Sequence, residues 1–213
     1  MPAYRINSKN VLFIHIPKTA GSSVTRALAP WCVKPQRTQW RRLLSHLPVP
    51  EKPQNAFLRQ HDKASWAKHK LPAEIYDSAY KFAVVRNPFE LAVSSYYFRR
   101  KHLSGRRRNR ARVLDFKTFL RYLERKNRFV RVDQTSWISD RHGNLIIDEV
   151  LRFETLAEQF NALVERLGLP GEVKLPRTNV NAPYDYRAVY DDEAKSIVRR
   201  LFFRDFERFG YEF

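Results

Sequence analysis

Apolar and polar residues follow one another along this chain in blocks that predict buried strands, each followed by a helix. Two continuous apolar runs, Val11–Ile16 and Tyr80–Val85, have the length and composition of strands that are buried on both faces. Helical spacing follows each run, over Ala20–Leu28 and from Pro88 to Arg100. A further strand is predicted over Asn144–Val150. This order of elements predicts an α/β fold with a mainly parallel central sheet.

The other helical segments are short or carry an apolar side. Asp115 precedes the amphipathic run FKTFLRYLERK and is therefore predicted to cap a helix. An apolar stripe of Ile197, Leu201, Phe202 and Phe209 predicts one long helix near the end of the sequence. The helices predicted in this group are Ser65–Lys70, Pro72–Tyr76, 115–126, Glu154–Leu167 and Asp191–Phe209. At 213 residues, the sequence is expected to form a single domain over residues 1–213.

The loop after the first strand, in IHIPKTAGSS, has the composition of an anion cradle. Small residues let the backbone approach a ligand, and a helix amino terminus directs unpaired N–H groups towards negative charge. Lys18 adds a full positive charge, and Thr19, Ser22 and Ser23 add hydroxyl donors. Lys18 precedes Gly21, whereas a Walker A loop has its lysine after the glycines, so ATP hydrolysis through such a loop is disfavoured. An ordinary strand-to-helix turn is the alternative interpretation.

A second candidate anion site follows the second strand, in VVRNPFELAVSSYY. Arg86 stands at the strand end, and Ser94 follows eight residues later on the helix that Pro88 begins. A guanidinium fork and a hydroxyl group suit phosphate oxygens. The alternative is a surface arginine and a helix serine that share no ligand. Ligands of parallel sheets bind beyond the carboxyl ends of the strands, and both loops stand at such positions.

The charge of the chain adds an attraction to polyanions. There are 40 Lys and Arg against 22 Asp and Glu, a net charge of +18, which favours nucleic acid, an anionic membrane, a phosphorylated cofactor or an acidic glycan as partner. The stretch Arg99–Arg112 is either a clamp for an anionic acceptor or membrane surface, or a solvated loop. Cys32 is the single cysteine, and the sequence has no signal-peptide pattern or membrane-length apolar run. These features lead us to expect a cytoplasmic protein, with peripheral attachment to a membrane left open.

Together the two loops resemble the donor-binding motifs of sulfotransferases. IHIPKTAGSS resembles their loop for the 5′-phosphosulfate of the donor, and VVRNPFELAVSSYY resembles their 3′-phosphate site. Both are similar to the carbohydrate sulfotransferase branch that includes heparan sulfate 2-O-sulfotransferase and bacterial family 2 proteins. The similarity continues in DEVLRFETLAEQF, in LPRTN and in DDEAKSIVRRLFFRDFERFGYEF, so it extends from Val11 to Phe213.

The resemblance implies a donor, a fold and a set of donor contacts. The donor is 3′-phosphoadenosine 5′-phosphosulfate (PAPS), and the fold is a P-loop-like three-layer α/β sandwich. Lys18 is implied to hold the phosphosulfate and to neutralise charge on the departing phosphate, while Arg86 and Ser94 fix the 3′-phosphate. No metal is expected, since the sequence has no Cys/His ligand cluster. The remaining implied donor contacts are Thr19, Ala20, Gly21, Ser22, Ser23, Arg177 and Asn179.

The resemblance also implies a histidine base between the two phosphate motifs. The candidates are His46, His61 and His69, and His61, in LRQHDKASW, best resembles the family segment. Histidine, with an unperturbed pKa of about 6.5, can accept a proton at neutral pH. Glu51 is a weaker alternative, because other branches use a glutamate, and His15 is expected to be structural. The expected acceptor carries a hydroxyl group on a glycan or glycolipid.

Two other classes of function compete with this interpretation. The charge is compatible with a nucleic-acid or polyanion-binding protein, but no recognisable nucleic-acid-binding motif accompanies it, so no specific nucleic acid is expected. A P-loop kinase is disfavoured by the position of Lys18 before Gly21.

Overall fold

A computed structural model describes residues 2–33, 47, 58–102, 115–171, 173–176 and 185–213. A four-stranded sheet lies at its centre, in the order β1-β2-β3-β4. The strands are β1 (Ala3–Ile6), β2 (Lys9–Ile14), β3 (Tyr80–Val85) and β4 (Glu149–Arg152). β1 is antiparallel to β2, whereas β2, β3 and β4 are mutually parallel neighbours. The predicted α/β class, with a mainly parallel sheet flanked by helices, is confirmed.

The helices follow the sequence pattern closely at most positions. The side chain of Asp115 accepts a hydrogen bond of 2.9 Å from the backbone N–H of Thr118, which confirms the predicted cap. Short 3-10 turns lie at Ala29–Trp31, Phe153–Thr155 and Tyr186–Val189. The helices are α1 (Gly21–Ala27), α2 (Ala64–Lys70), α3 (Ala73–Ser78), α4 (Pro88–His102), α5 (Phe116–Asn127), α6 (Thr135–Ile138), α7 (Leu156–Arg166), α8 (Asp192–Leu201) and α9 (Phe203–Phe209). None of these described helices has the length and hydropathy needed to cross a bilayer.

The structure divides into two compact units. The first comprises the described residues of Met1–Val85 and Trp137–Asn179 and contains the whole sheet. Its core joins the sheet to α7: the rings of Phe13 and Phe82 stack with centroids 4.9 Å apart, and Phe160 of α7 belongs to the same buried cluster. Burial of such a side chain contributes about 1.5–3 kcal/mol, so this cluster holds the strand ends in place.

The second unit comprises the described residues of Arg86–Ser136 and Val180–Phe213. Its core is aromatic and packs α4, α5 and α8 together. Phe89 is central, with ring centroids 5.2 Å from Phe206 and 4.9 Å from Phe213. The end of the chain is thereby packed against the first turn of α4.

The strand register within the first unit brings two strand ends to one edge of the sheet. Ile14, the last residue of β2, pairs with Ala83, and β3 continues to Val85. The loop Pro17–Ser23 therefore leaves the sheet at its carboxyl edge, which is where ligands of parallel sheets bind.

The strands differ from the prediction in three places. The strand expected over Val11–Ile16 is β2, which runs from Lys9 to Ile14. β1 was not predicted, because its residues alternate in polarity over only four positions; it forms a hairpin with β2 through Asn7 and Ser8, whose φ angles are 47° and 66°. The third strand was predicted over Asn144–Val150, but β4 runs from Glu149 to Arg152. The preceding residues instead pair with the end of α6, since the N–H of Ile146 donates to the carbonyl of Ile138.

Two predicted helices are also shorter or divided. The helix expected over Glu154–Leu167 begins with a 3-10 turn and becomes α-helical only at Leu156. The long helix expected over Asp191–Phe209 is broken at Phe202, with φ −116° and ψ 23°, into α8 and α9. The break accompanies the burial of Asp205 in the second unit, where its carboxylate accepts several hydrogen bonds. A tertiary interaction therefore overrides the continuous helical pattern.

Candidate active site

The loop between β2 and α1 has a strained backbone of the kind that binds anions. Lys18 and Ala20 have φ angles of 71° and 62°, whereas Thr19 between them does not have a positive φ. A left-handed conformation costs a residue with a Cβ roughly 1–2 kcal/mol, so the surrounding structure must impose it. Alternation of left-handed residues with others turns backbone N–H groups into a concavity suited to an anion.

The hydroxyl groups of this loop are not equivalent. Thr19 is fully buried, and its Oγ1 donates to the carbonyl of Ile16 at 2.9 Å, so its proton is used within the loop. The backbone N–H of Ser23 donates to the carbonyl of Ala20 at 2.9 Å as part of the first turn of α1. Ser22 is exposed and Ser23 is buried. Of the three hydroxyl donors expected from the sequence, only that of Ser22 lies on the surface.

Gly21 is required because the imidazole of His15 occupies the space beside it. A Cβ built on Gly21 would lie 1.8 Å from Nε2 and 1.9 Å from Cδ2 of His15. Real Cβ atoms do not approach ring atoms so closely, and the ring itself is packed against Phe13, with centroids 5.5 Å apart. Hence the glycine of the loop and the histidine after β2 form one packed unit.

His15 is a buried, neutral histidine. Its Nδ1 lies 3.3 Å from Nε2 of Gln60, and since an amide nitrogen only donates, Nδ1 is the acceptor and Nε2 carries the proton. Burial, with a smaller contribution from the neighbouring His61, lowers the pKa of His15 to about 3. His15 therefore stays uncharged at neutral pH, as the structural role expected from the sequence requires.

His61 is held in the tautomer that a general base needs. Its Nδ1 lies 3.0 Å from the backbone carbonyl oxygen of His15, and since a carbonyl only accepts, Nδ1 carries the proton and Nε2 presents its lone pair. The two imidazoles meet edge to face, with centroids 4.6 Å apart, and the ring of Trp137 lies at 6.4 Å from that of His61. His61 itself is exposed, so a substrate can reach it.

A short turn fixes the position of His61. Asp62 is buried, and its carboxylate accepts hydrogen bonds from the backbone N–H and from Nε of Arg59, at 2.7 and 2.9 Å. Among the other base candidates, His69 is exposed near the end of α2, while His46 and Glu51 lie outside the described residues. Of the base candidates within the described residues, His61 is the one packed against His15, the residue that borders the loop.

In the second unit, the backbone of Arg86 is clamped by the side chain of Gln134. The N–H of Arg86 donates to Oε1 of Gln134 at 2.8 Å, and Nε2 of Gln134 donates to the carbonyl of Arg86 at 2.8 Å. Gln134 is fully buried, so these two hydrogen bonds have no competition from water. Arg86 as a whole residue is 9 % exposed. Its guanidinium group forms an ion pair with Glu90, one turn along α4.

Asp205 in turn holds Gln134. Its fully buried carboxylate accepts from the N–H of Gln134 and the N–H of Thr135, both at 2.8 Å, from Oγ1 of Thr135 at 2.7 Å, and from Nε2 of Gln134 at 3.3 Å. Burial raises the pKa of Asp205 to about 6, although these donors oppose the rise. Neither Gln134 nor Asp205 was predicted from the sequence. The one sequence signal for Asp205 was its acidic side chain beside the apolar stripe of the predicted helix Asp191–Phe209.

We expect Asp205 to make stability depend on pH. The folded protein keeps a proton on this carboxyl group that the unfolded chain releases near pH 4, so its contribution to the unfolding free energy is lost as pH rises from about 4 to about 6. The difference between the pKa of Asp205 in the folded and unfolded states corresponds to a change of about 3 kcal/mol at most in the free energy of unfolding. Urea unfolding of the wild type and of Asp205→Asn at both ends of the interval measures it: the difference between the two proteins should be larger at the acidic end. An unchanged difference would contradict the burial argument.

The other residues of the second candidate site are placed by α4. The Oδ1 of Asn87 accepts from the N–H of Phe89 at 3.0 Å, and its Nδ2 donates to the carbonyl of Glu212 at 2.7 Å, so the entry to α4 is fixed at both sides. Ser94 lies on α4 and is 3 % exposed. Arg177 and Asn179 lie outside the described residues.

The described part of the basic stretch is packed on aromatic rings. The guanidinium carbon of Arg99 lies 5.3 Å from the ring centroid of Tyr122, and that of Arg100 lies 5.4 Å from the ring of Tyr96. The portion from 103 to 112 lies outside the described residues. Across the described ranges, no cluster of three or more His, Cys, Asp or Glu side chains is arranged to hold a metal ion.

The mainly parallel sheet flanked by helices, with a strained loop after β2 and His61 packed against the residue that borders this loop, has the features of a P-loop-like α/β fold. The chain belongs to the sulfotransferase family, whose family model matches residues 3–212. It is therefore a transferase, and the family generally takes its sulfuryl group from PAPS and passes it to a hydroxyl-bearing acceptor. A comparison with curated protein sequences found no match.

Proposed function

We propose that this protein transfers the sulfuryl group of PAPS to a hydroxyl group of a carbohydrate or glycolipid. The products would be adenosine 3′,5′-bisphosphate and a sulfate ester, as in the carbohydrate branch related to heparan sulfate 2-O-sulfotransferase. The observation that carries the proposal is the hydrogen bond from Nδ1 of His61 to the carbonyl of His15, which leaves Nε2 of His61 available as a base. His15 is also the residue packed against Gly21 of the loop.

The residues of the loop fit a phosphosulfate group. The left-handed residues Lys18 and Ala20 shape the backbone into a concavity, and the exposed Ser22 adds a hydroxyl donor. PAPS supplies the activated sulfuryl group. In the proposed role, Lys18 binds the phosphosulfate and stabilises the negative charge that develops on the departing phosphate. The backbone N–H groups of Thr19, Ala20 and Gly21 are proposed to complete the cradle. The N–H of Ser23 already donates to the carbonyl of Ala20, so its backbone offers no further donor.

His61 performs the proton transfer in this proposal. Its Nε2 accepts the proton of the acceptor hydroxyl as that oxygen forms its bond to sulfur and the bond from sulfur to the phosphate oxygen breaks. The hydrogen bond from Nδ1 to the carbonyl of His15 keeps the ring in the required tautomer and orientation throughout. Because His15 is neutral, its imidazole places no positive charge beside His61.

Arg86 and Ser94 are the proposed 3′-phosphate contacts. Gln134 fixes the backbone of Arg86 and Asp205 fixes Gln134, which supports a precise position for the arginine. An arginine binds phosphate oxygens with a planar set of donors, of which one already pairs with Glu90. Arg177 and Asn179 stay proposed as further donor contacts, by resemblance alone.

Binding of adenosine 3′,5′-bisphosphate tests the donor assignment. We expect the wild type to bind this bisphosphate more tightly than ADP or ATP. Arg86→Ala should weaken the binding by about 10–100-fold, because it removes charged hydrogen bonds to the phosphate. Isothermal titration calorimetry measures both, with Arg100→Ala, near the other end of α4, as the control for loss of one arginine. Tight binding of Mg-ATP, with bisphosphate binding insensitive to Arg86→Ala, would favour the kinase alternative.

The finer features of the assignment are also proposals. Net charge of +18 supports an anionic acceptor, and the stretch Arg99–Arg112 is the proposed contact for it. A single catalytic domain over residues 1–213, a cytoplasmic location and a reaction without metal remain predictions from the sequence. Transfer from radiolabelled PAPS to a panel of acidic glycans, neutral glycans and glycolipids identifies the acceptor class.

A further inference from the structure

The turn that follows α5 exposes apolar side chains to an unusual extent. Phe129 is 89 % exposed and Val130 is 52 % exposed, and Phe129 is the most exposed of the large apolar residues that the structure describes. These two residues belong to the segment RKNRFVR, Arg125–Arg131, which we call the basic turn. An exposed apolar pair rimmed by charged residues is a candidate interaction site.

The exposure results from an ordered backbone conformation. The N–H groups of Phe129 and Val130 both donate to the carbonyl of Lys126 at 3.0 Å, which ends α5 in a closed turn. Oδ1 of Asn127 accepts from the N–H of Val132 at 3.0 Å and closes the turn from the other side. The turn therefore projects Phe129 and Val130 outward from a fixed base.

Four cationic residues flank this apolar pair in the sequence. Arg125, Lys126, Arg128 and Arg131 lie within the basic turn, which contains no acidic residue. In the portion of the chain that the structure describes, none of the four forms an ion pair, whereas Glu124 just before them pairs with Arg200. The turn thus combines a projecting apolar tip with an uncompensated positive charge.

We propose that the basic turn binds an anionic lipid surface, with Phe129 and Val130 inserted among the headgroups and the four cations on the lipid phosphates. The proposal does not depend on the donor or acceptor of the proposed transfer. Interfacial binding needs these two components together, since basic residues provide long-range attraction and apolar residues provide short-range insertion. The basic turn shares no residue with the stretch Arg99–Arg112.

Lipid explains the composition of the turn better than nucleic acid does. Single-stranded nucleic acid would stack a base on Phe129, but Val130 has no π face and would gain nothing from such stacking. Insertion into the headgroup region uses both side chains. If nucleic acid were the occupant instead, a single-stranded oligonucleotide would compete with the vesicles.

Vesicle co-sedimentation of the full chain tests the proposal. The probe is vesicles of roughly three parts phosphatidylcholine to one part phosphatidylglycerol, compared with phosphatidylcholine alone. We expect binding to the anionic vesicles only, weakened when salt rises from about 50 to about 500 mM. Phe129→Ala should reduce the affinity about tenfold, and Arg128→Gln with Arg131→Gln should reduce it about 25-fold.

Matched controls separate a local effect from a general one. Phe203→Ala removes another exposed phenylalanine, which is 51 % exposed at the start of α9. Arg5→Gln with Arg199→Gln removes the same charge from exposed positions elsewhere. Both controls should bind vesicles as the wild type does. A tryptophan at position 129, introduced as Phe129→Trp, should show a blue-shifted emission increment with anionic vesicles that Phe203→Trp does not show.

Three outcomes would overturn the proposal. Absence of binding to the anionic vesicles is the first. Equal losses in the control variants would show that net charge alone acts. If Phe129→Ala binds vesicles normally while a single-stranded oligonucleotide competes with them, the turn is a general polyanion site. Binding of adenosine 3′,5′-bisphosphate, measured in parallel, should be the same in all variants, so the lipid result is independent of the proposed enzyme activity.

Discussion

Replacing His61 with alanine is expected to lower kcat by about 10²–10⁴-fold, the usual contribution of a general base. Binding of adenosine 3′,5′-bisphosphate should be unchanged, because the proposed role of His61 concerns the acceptor and not the donor. The physical reason is the tautomer: Nδ1 is committed to the carbonyl of His15, so Nε2 is the proton acceptor. Sulfate transfer under saturating PAPS and acceptor measures the loss.

Two further variants distinguish base catalysis from positioning. His61→Gln can still donate a hydrogen bond to the carbonyl of His15 but has no basic nitrogen, so it should be as inactive as His61→Ala. His69→Ala removes an exposed histidine on α2 and should retain full activity. Turnover near the wild-type value in His61→Ala would show that the base is another residue.

Removal of the Lys18 side chain is expected to reduce kcat by about 10²–10³-fold, the typical cost of losing one group that stabilises charge in the transition state. Lys18 also has a φ of 71°, which makes two replacements informative. Lys18→Ala keeps the Cβ and its strain, whereas glycine takes this conformation without a Cβ. We therefore expect Lys18→Gly to be more stable than Lys18→Ala by up to about 1 kcal/mol, with equal loss of activity.

Ala20→Gly is the matched control for this comparison. Ala20 also has a positive φ, 62°, but its side chain has no proposed chemical role. This variant should gain similar stability in urea unfolding and keep its activity. If Lys18→Gly proves less stable than Lys18→Ala, the loop is not strained as described. If Lys18→Ala transfers sulfate at the normal rate, another group stabilises the departing phosphate.

The predictable parts of the fold are those in which local pattern and tertiary burial agree. The run YKFAVV was predicted as a strand over Tyr80–Val85, and β3 has the same bounds. The cap at Asp115 needs only its own side chain and the N–H of Thr118, so it was predictable from the sequence too. The break at Phe202 was not predictable, because the helical stripe continues through it and the interactions of Asp205 with residues about 70 positions away accompany it.

The sequence by itself determined the α/β class, the two loops after the buried strands and the identity of the candidate residues Lys18, His61 and Arg86. These follow from the periodicity of apolar residues and from short motifs, which act over a few neighbouring positions. Only the tertiary structure decided which nitrogen of His61 is free, why the loop glycine is required and what holds the backbone of Arg86. The free nitrogen of His61 and the position of Arg86 depend on residues distant in sequence, namely His15 for the former and Gln134 with Asp205 for the latter. The need for Gly21 depends on the ring of His15, which is six positions away but reaches the glycine only through the folded loop. Such contacts form only when the chain is folded.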